Sequence, residues 1–176
     1  MSGRHFGNGE SEVLKRSIVE PRSYREAMSL YAGAVQIVTT EGAAGRRGAT
    51  VIAACSVSDD PPTVLVCLSR KSLANELFVD NGVFALNTLG EPHADVAHAF
   101  SGLAGLDADG RFSFGRWTTL STGSPALEDA IAVFDCELVE SKDVATHRIL
   151  FGKVVGLRIG ESVKPLIYHK RAYHLL

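Results

Sequence analysis

Two consecutive prolines, Pro61-Pro62, fall inside the stretch ATVIAACSVSDDPPTVLVCLSRKS (Ala49 to Ser72) and constrain this chain more than any other feature. Proline has no amide hydrogen to give to a sheet and disfavours helix in the residue before it. Asp59-Asp60-Pro61-Pro62 is therefore read as a turn between two extended segments. The stretch reads as two strands joined by that turn, with a phosphate-sized anion site at each open end. Its first half is rich in small side chains and hydroxyls (Thr50, Ala53, Ala54, Cys55, Ser56, Ser58), so a flat ligand can approach the backbone closely. Its second half, TVLVCL, is a continuous apolar run, as expected of a strand buried on both faces. Ser69-Arg70-Lys71-Ser72 then precedes the helical pattern LANELFVD, with Ser72 as the expected N-cap. A helix N-terminus flanked by a guanidinium and an ammonium can hold a phosphate monoester. The same residues also suit a capped surface helix with solvated charges.

The 176 residues suffice for one domain with a substantial core. A formal net charge of −2 gives no electrostatic reason to expect nucleic acid or an anionic membrane as partner. No apolar run approaches bilayer length and residues 1–20 lack an apolar core segment, so neither a leader nor an anchor is expected and the setting is read as cytoplasmic. Cys55, Cys67 and Cys136 show no metal-ligand spacing and read as buried reduced thiols.

Residues 1–20 have no sustained period and are expected to form a flexible N-terminal arm, leaving 21–176 as the folded domain. SYREAMSLYAG has helical spacing and ends at Gly33; AVQIVTT is a strand, and EGAAGRRG is a hairpin turn. After Asn81-Gly82, VFALNTL is a strand with Val83, Ala85 and Asn87 on one face. EPHADVAHAFSG is helical, with Pro92 in its first turn and Gly102 at its end. LAGLDADGRFSF is expected to be loop and GRWTTLSTGSPAL irregular. AIAVFDCELVES and THRILFGKVVGLRIG are long strands around a turn at Ser141 to Ala145, and PLIYHKRAYHLL is a short closing strand. About six strands with antiparallel connections and no βαβ rhythm favour a small β-barrel over a doubly wound sheet.

Several chemistries are set aside. Asp107-Ala108-Asp109-Gly110 lacks the bidentate glutamate of a calcium loop. His93 and His98 are five apart, on different helix faces, and read as surface or capping residues rather than a metal pair. Neither a nucleophile elbow nor a G-x-G-x-x-G after a strand is present.

Taken together, GAVQIVTT, ATVIAACSVSDDPP with TVLVCLSRKS, NGVFALNTL, RFSFGRW, FDCELVE, THRILFGKVVG and PLIYHKRAY resemble, in order and spacing, the short-chain flavin reductases, over roughly Ser23 to Leu175. That resemblance implies a mainly β fold with short helices, an antiparallel, Greek-key-like FMN-binding split β-barrel, a homodimer, and hydride transfer from NADH or NADPH to FMN or FAD. Within the family, YREAMSLYAGAVQIVTT, AAGRRG, AACSVSDDPPT, NGVFALNTL and LFGKVVGL look most like the corrin reductases of aerobic cobalamin synthesis, which reduce cob(II)yrinic acid a,c-diamide. The same blocks are similar to reductase components that feed reduced flavin to an oxygenase, including the pyrimidine-degrading kind.

Residue by residue, the resemblance implies that Thr50, Val51 and Ala53 lie along the flavin. Cys55, Ser56 and Ser58 continue toward its ribityl chain and phosphate. Ser69, Arg70, Lys71 and Ser72 grip the phosphate, and Asn87 is a polar position near the cofactor. His147 stands beside the nicotinamide, with Ala145 where glycine is more usual. His169, Arg171 and Tyr173 match the terminal motif. The competing class is a non-catalytic FMN-binding module on the same barrel.

Overall fold

A computed structural model describes residues 18–176. The expected N-terminal arm, residues 1–20, lies outside the described residues except for its last three. The chain forms α1 (Pro21–Ser29), β1 (Gly33–Ala34), β2 (Gln36–Thr40), β3 (Arg47–Val51), β4 (Ala54–Asp59) and β5 (Pro62–Ser69). A 3-10 turn (Leu73–Glu76) leads to α2 (Leu77–Asn81) and β6 (Val83–Thr88), and a second (Glu91–His93) leads to α3 (Ala94–Phe100) and α4 (Ala108–Phe112). Then come β7 (Trp117–Thr119), β8 (Pro125–Leu127), β9 (Ala132–Val144), β10 (His147–Ile159), β11 (Leu166–His169) and β12 (Ala172–Leu175).

Seven strands form one sheet in the order β3-β2-β6-β9-β10-β5-β4, with every pair antiparallel. β3 and β4 are therefore the two edges, although only Ile52 and Ala53 separate them. A flat seven-strand sheet would hold its edges about 29 Å apart at ~4.8 Å per strand. Three Cα steps from Val51 to Ala54 cover at most about 11 Å. The sheet must curl into a barrel, with a seam between β3 and β5 where a backbone bond from Cys67 N–H to the Ala53 carbonyl (2.8 Å) makes the closure.

Strand alternation fills both sides of this wall. Val38, Phe84, Leu86, Val64, Val66, Leu68 and Leu150 point into the barrel with Phe78 from α2. Ile37, Ala85 and Val133 face the other way, onto Phe100 of α3, Phe112 of α4 and Leu127 of β8. Gly48 lets that outer layer close on β3: a Cβ there would come within 2.4 Å of the Phe100 ring. β1, β11 and β12 form a separate three-stranded sheet, tied to α1 by the Arg171–Glu26 ion pair (2.8 Å).

The architecture expected from the sequence is present: a mostly β, antiparallel barrel with short helices. Local differences have identifiable causes. The small-residue strand breaks at Ile52-Ala53 into β3 and β4, because barrel closure needs a sharp corner there. β5 alternates between buried (Val64, Val66, Leu68) and half-buried residues, so only its inner face is fully covered. Cys55 is exposed because β4 is an edge strand; Cys67 is half-buried and only Cys136 is buried. α4 forms where loop was expected, because Asp107 caps it by accepting from the Gly110 N–H at 2.8 Å. β7 and β8, and likewise β11 and β12, are hairpins too short for a period to register. β9 runs on to Val144, so the turn shrinks to Ala145-Thr146. His93 is a buried cap whose Nδ1 accepts from the Gly90 N–H (3.0 Å), and His98 is exposed.

Candidate functional site

The seam between β3 and the end of β5 opens as a cleft of about 410 Å³, within the usual range for a small-molecule site. β3 and the corner after it supply Arg47, Ala49, Thr50, Val51, Ile52 and Ala53. Across the cleft stand Cys67, Leu68 and Ser69 of β5, then Ser72 and Asn75. Phe100, Ser101 and Gly102 from the end of α3, Arg111 from α4 and His147 at the start of β10 complete the lining.

An edge strand turns the N–H and C=O of every second residue away from its neighbour. The Gly48 carbonyl accepts a bond from Arg111 Nη1 on that outer side (3.3 Å), so Gly48 and Thr50 form the outward set. The Thr50 hydroxyl donates to the Ala97 carbonyl (2.7 Å), which leaves its backbone at the cleft while its side chain anchors α3.

Among the described residues no carboxylate lines this cleft, although the chain as a whole carries net negative charge. Arg47 Nε donates to Asn75 Oδ1 (3.2 Å) and Nη2 to Ser72 Oγ (3.3 Å); Asn75 in turn donates to the Ser69 carbonyl (2.9 Å). Burial, with Arg111 as a nearby like charge, pushes the Arg47 guanidinium down to about 10. Two half-buried cations with hydrogen-bonding hydroxyls and amides, and no anion, suit an anionic ligand group.

Of the site residues expected from the sequence, the structure brings together Thr50, Val51, Ala53, Ser69, Ser72 and His147. Arg70 turns the other way. Its Nε lies 3.2 Å from Asp143 Oδ2, and its Nη1 donates to the Ala145 carbonyl at 3.1 Å. Arg148 bonds both Asp143 oxygens (2.7 and 3.2 Å) and Glu76. Arg148 and, less directly, Arg70 hold the Asp143 carboxyl below the usual carboxylate range. Lys71 is exposed and outside the lining. Ser72 occupies the cap position of a 3-10 turn without capping it: its hydroxyl is taken by Arg47.

Cys55, Ser56 and Ser58 lie on β4, beyond the corner and outside the cleft. Asn87 is fully buried and does not line it. Its amide donates to the Ile37 carbonyl (3.1 Å) and Thr39 Oγ1 (3.2 Å) and accepts from the Leu127 N–H (2.8 Å), which pins β8 onto β2 and β6. His169, Arg171 and Tyr173 sit on the β11–β12 hairpin, where Tyr173 packs on Tyr168 with ring centroids 5.6 Å apart. Reading the sequence overlooked Arg47, Asn75, the α3 end and Arg111. Arg47 had a signal, because it stands two residues before the small-residue stretch that begins at Ala49. Arg111 had none, since its place depends on α4 folding back over Gly48.

His147 is exposed at the cleft mouth, its Nδ1 2.9 Å from Thr146 Oγ1. Ala145, two residues earlier, has φ +50°, which explains why glycine suits that position.

An antiparallel barrel with a carboxylate-free, cationic cleft along an open strand edge is a fold for holding a flat anionic cofactor. The chain belongs to the family described as flavin reductase like domain, whose model matches residues 28–176. Among its relatives is the FMN reductase (NADH) RutF of Bradyrhizobium diazoefficiens, 46% identical over 161 residues, covering 92% of this chain and 88% of that protein. A Haemophilus somnus structure described as a candidate flavin reductase superposes with a TM-score of 0.85 at 44% identity, covering 90% of this chain and 100% of that one. The styrene monooxygenase flavin reductase of Pseudomonas putida S12 superposes at 0.76 with 29% identity, over 87% of this chain and 96% of that one.

Proposed function

We propose that this chain is an NADH-dependent FMN reductase. The observation that carries the reading is the cleft itself: small residues along the open edge of β3, Arg47 at the start of that strand reaching across to Ser72 and Asn75, and no carboxylate among the described residues of the lining. The name of the Bradyrhizobium relative supports both FMN and NADH. Bound flavin supplies the two-electron chemistry, accepting hydride from the nicotinamide. The chain's own residues bind, orient and exclude water. In this reading Thr50 to Ala53 lie along the ring system, and the Arg47 end holds the phosphate. Arg70 and Lys71 contribute to the surrounding potential, and His147 orients the nicotinamide at the mouth. Hydride transfer itself moves no separate proton, and any proton the reduced flavin takes up can come from solvent, so no dedicated acid or base is needed.

We further propose a homodimer. Exposed apolar side chains support it: Val57 on the edge strand β4, Val139 on β9, Leu157 and Ile159 on β10. Cys55, Ser56 and Ser58, and the hairpin with His169, Arg171 and Tyr173, would then be surfaces offered to the second copy. Among the described residues no helix is long and apolar enough to cross a membrane. A cytoplasmic setting, where NADH is plentiful, fits the reaction. For the final acceptor, the styrene monooxygenase reductase supports release of reduced flavin to an oxygenase component. Neither the cleft nor these relatives favour the Co(II) corrin.

The test is anaerobic NADH oxidation by the purified protein with added FMN. Bleaching of the flavin at the rate of NADH loss is expected. No oxidation with either nicotinamide would leave only an FMN-binding module. A Co(I) spectrum that forms from an added Co(II) corrin only when the protein is present would move the acceptor to the corrin. His147→Ala is expected to change NADH kinetics and leave FMN affinity alone.

A further inference from the structure

The cleft holds a second cation that the reading above does not use. Arg111 reaches from α4 to the edge of β3, where Nη1 donates to the Gly48 carbonyl (3.3 Å) and Nε to the Leu106 carbonyl (3.0 Å). These bonds occupy two of its five N–H donors. Five other arginines (Arg46, Arg70, Arg116, Arg148, Arg171) each hold a carboxylate. Among the described residues, Arg47 and Arg111 form no ion pair, and both line the cleft.

Two guanidiniums lining one cleft without a counter-ion repel each other; burial is the larger cause of the lowered Arg47 pKa, and the like charge of Arg111 adds to it. A ligand group relieves it in proportion to the negative charge it brings. A phosphomonoester brings nearly two charges at neutral pH; each phosphate of a pyrophosphate diester brings one, and an uncharged polyol chain brings none.

We propose that Arg111 turns the Arg47 end of the cleft into a dianion site, and is the residue by which the chain selects the phosphomonoester flavin FMN over riboflavin and FAD. The proposal rests on the flavin reading of the cleft. In that reading Arg111 acts on binding at the phosphate and takes no part in hydride transfer.

The test is isothermal titration of the full chain with FMN, riboflavin and FAD. Wild type is expected to bind FMN more tightly than either of the others. Arg111→Gln, which keeps hydrogen-bond donors but drops the charge, should weaken FMN about tenfold and move riboflavin less than twofold. Arg111→Lys should retain most of the preference. Wild-type FMN affinity should fall from pH 7.5 to pH 5 as the phosphate gains its second proton near pH ~6, and Arg111→Gln should flatten that slope. Inorganic phosphate should compete with FMN but not with riboflavin. Equal losses for FMN and riboflavin in Arg111→Gln would reduce Arg111 to a structural residue and overturn the proposal. Unchanged FMN affinity with a raised KM for NADH would assign Arg111 to the nicotinamide and overturn it too. If wild type binds no flavin, the underlying reading falls instead; equal FMN and riboflavin affinities in wild type would sink the charge selection alone.

Discussion

Two groups of arginines stand on either side of the 3-10 turn at Leu73–Glu76, and they are solved in opposite ways. Arg70 and Arg148 share Asp143, with Glu76 closing the group, and together they clamp the tip of the β9–β10 hairpin against the end of β5. Among the described residues Arg47 and Arg111 have only neutral hydrogen-bond partners. The difference teaches that an arginine's place in the sequence does not say whether a carboxylate already holds it. A paired guanidinium has spent its charge on the fold. One left with hydroxyls and carbonyls in a cleft is stabilised by whatever anion arrives.

The largest effect that could break this comparison is on FMN binding. Arg47→Met should weaken FMN roughly 10- to 100-fold, the worth of a charge-assisted phosphate contact, whereas Arg70→Met should change it less than threefold. Flavin titration of the two variants decides, and the reverse order would return the phosphate to Arg70. Apo-protein stability should then show the opposite pattern. Arg148→Met should cost up to ~1 kcal/mol in urea unfolding, as a partly exposed ion network loses its centre. Arg47→Met should cost nothing. Its folded-state pKa lies below the ordinary arginine value, so the folded chain disfavours that charge at neutral pH and gains stability as pH rises beyond about 10.

The carboxylate side of the clamp has its own pH signature. Asp143 titrates lower in the folded chain than in the unfolded one, so its contribution is complete above the ordinary aspartate pKa of 3.8 and is lost as pH falls through the lowered value. Asp143→Asn should remove that part of the acid decline in the urea midpoint; an unchanged decline would mean the clamp is absent in solution. A smaller gain comes from the same tip. Ala145→Gly should stabilise the chain by ~0.5–1 kcal/mol by relieving a left-handed alanine, measured by thermal unfolding. Last, FMN should slow alkylation of Cys67, which lines the cleft, and leave the exposed Cys55 on β4 untouched. Protection at Cys55 alone would put the ligand on the wrong edge of the sheet.

Much of the fold was readable before any coordinates. The double proline marks the β4–β5 turn, Gly82 with φ +67° ends α2, and β9 and β10 are the two long strands that their segments suggest. The corner at Ile52-Ala53 was hidden because small residues continue the extended pattern straight through it; only the need to close a barrel breaks it there. The site was half readable. Thr50, Val51, Ala53, Ser69, Ser72 and His147, which line the cleft, follow from their place in the stretch and the matching blocks. What separates Arg47 from Arg70 is Asp143, a residue distant in sequence that reaches Arg70 only through the hairpin register of β9 and β10. Asn87 misled for a related reason: a lone polar residue on an apolar strand looks like a ligand contact until the carbonyl of Ile37 and the N–H of Leu127 are found to claim it.

The seam between β3 and β5 has a consequence for how a ligand gets in. Elsewhere the barrel wall is a ladder of paired strands, and parting it would mean giving up several bonds at once. At the seam the joint is the corner at Ile52-Ala53 and the Cys67-to-Ala53 backbone bond. Amide exchange should be fastest along this line. The barrel thus has a built-in weak stave, and it runs along the cleft.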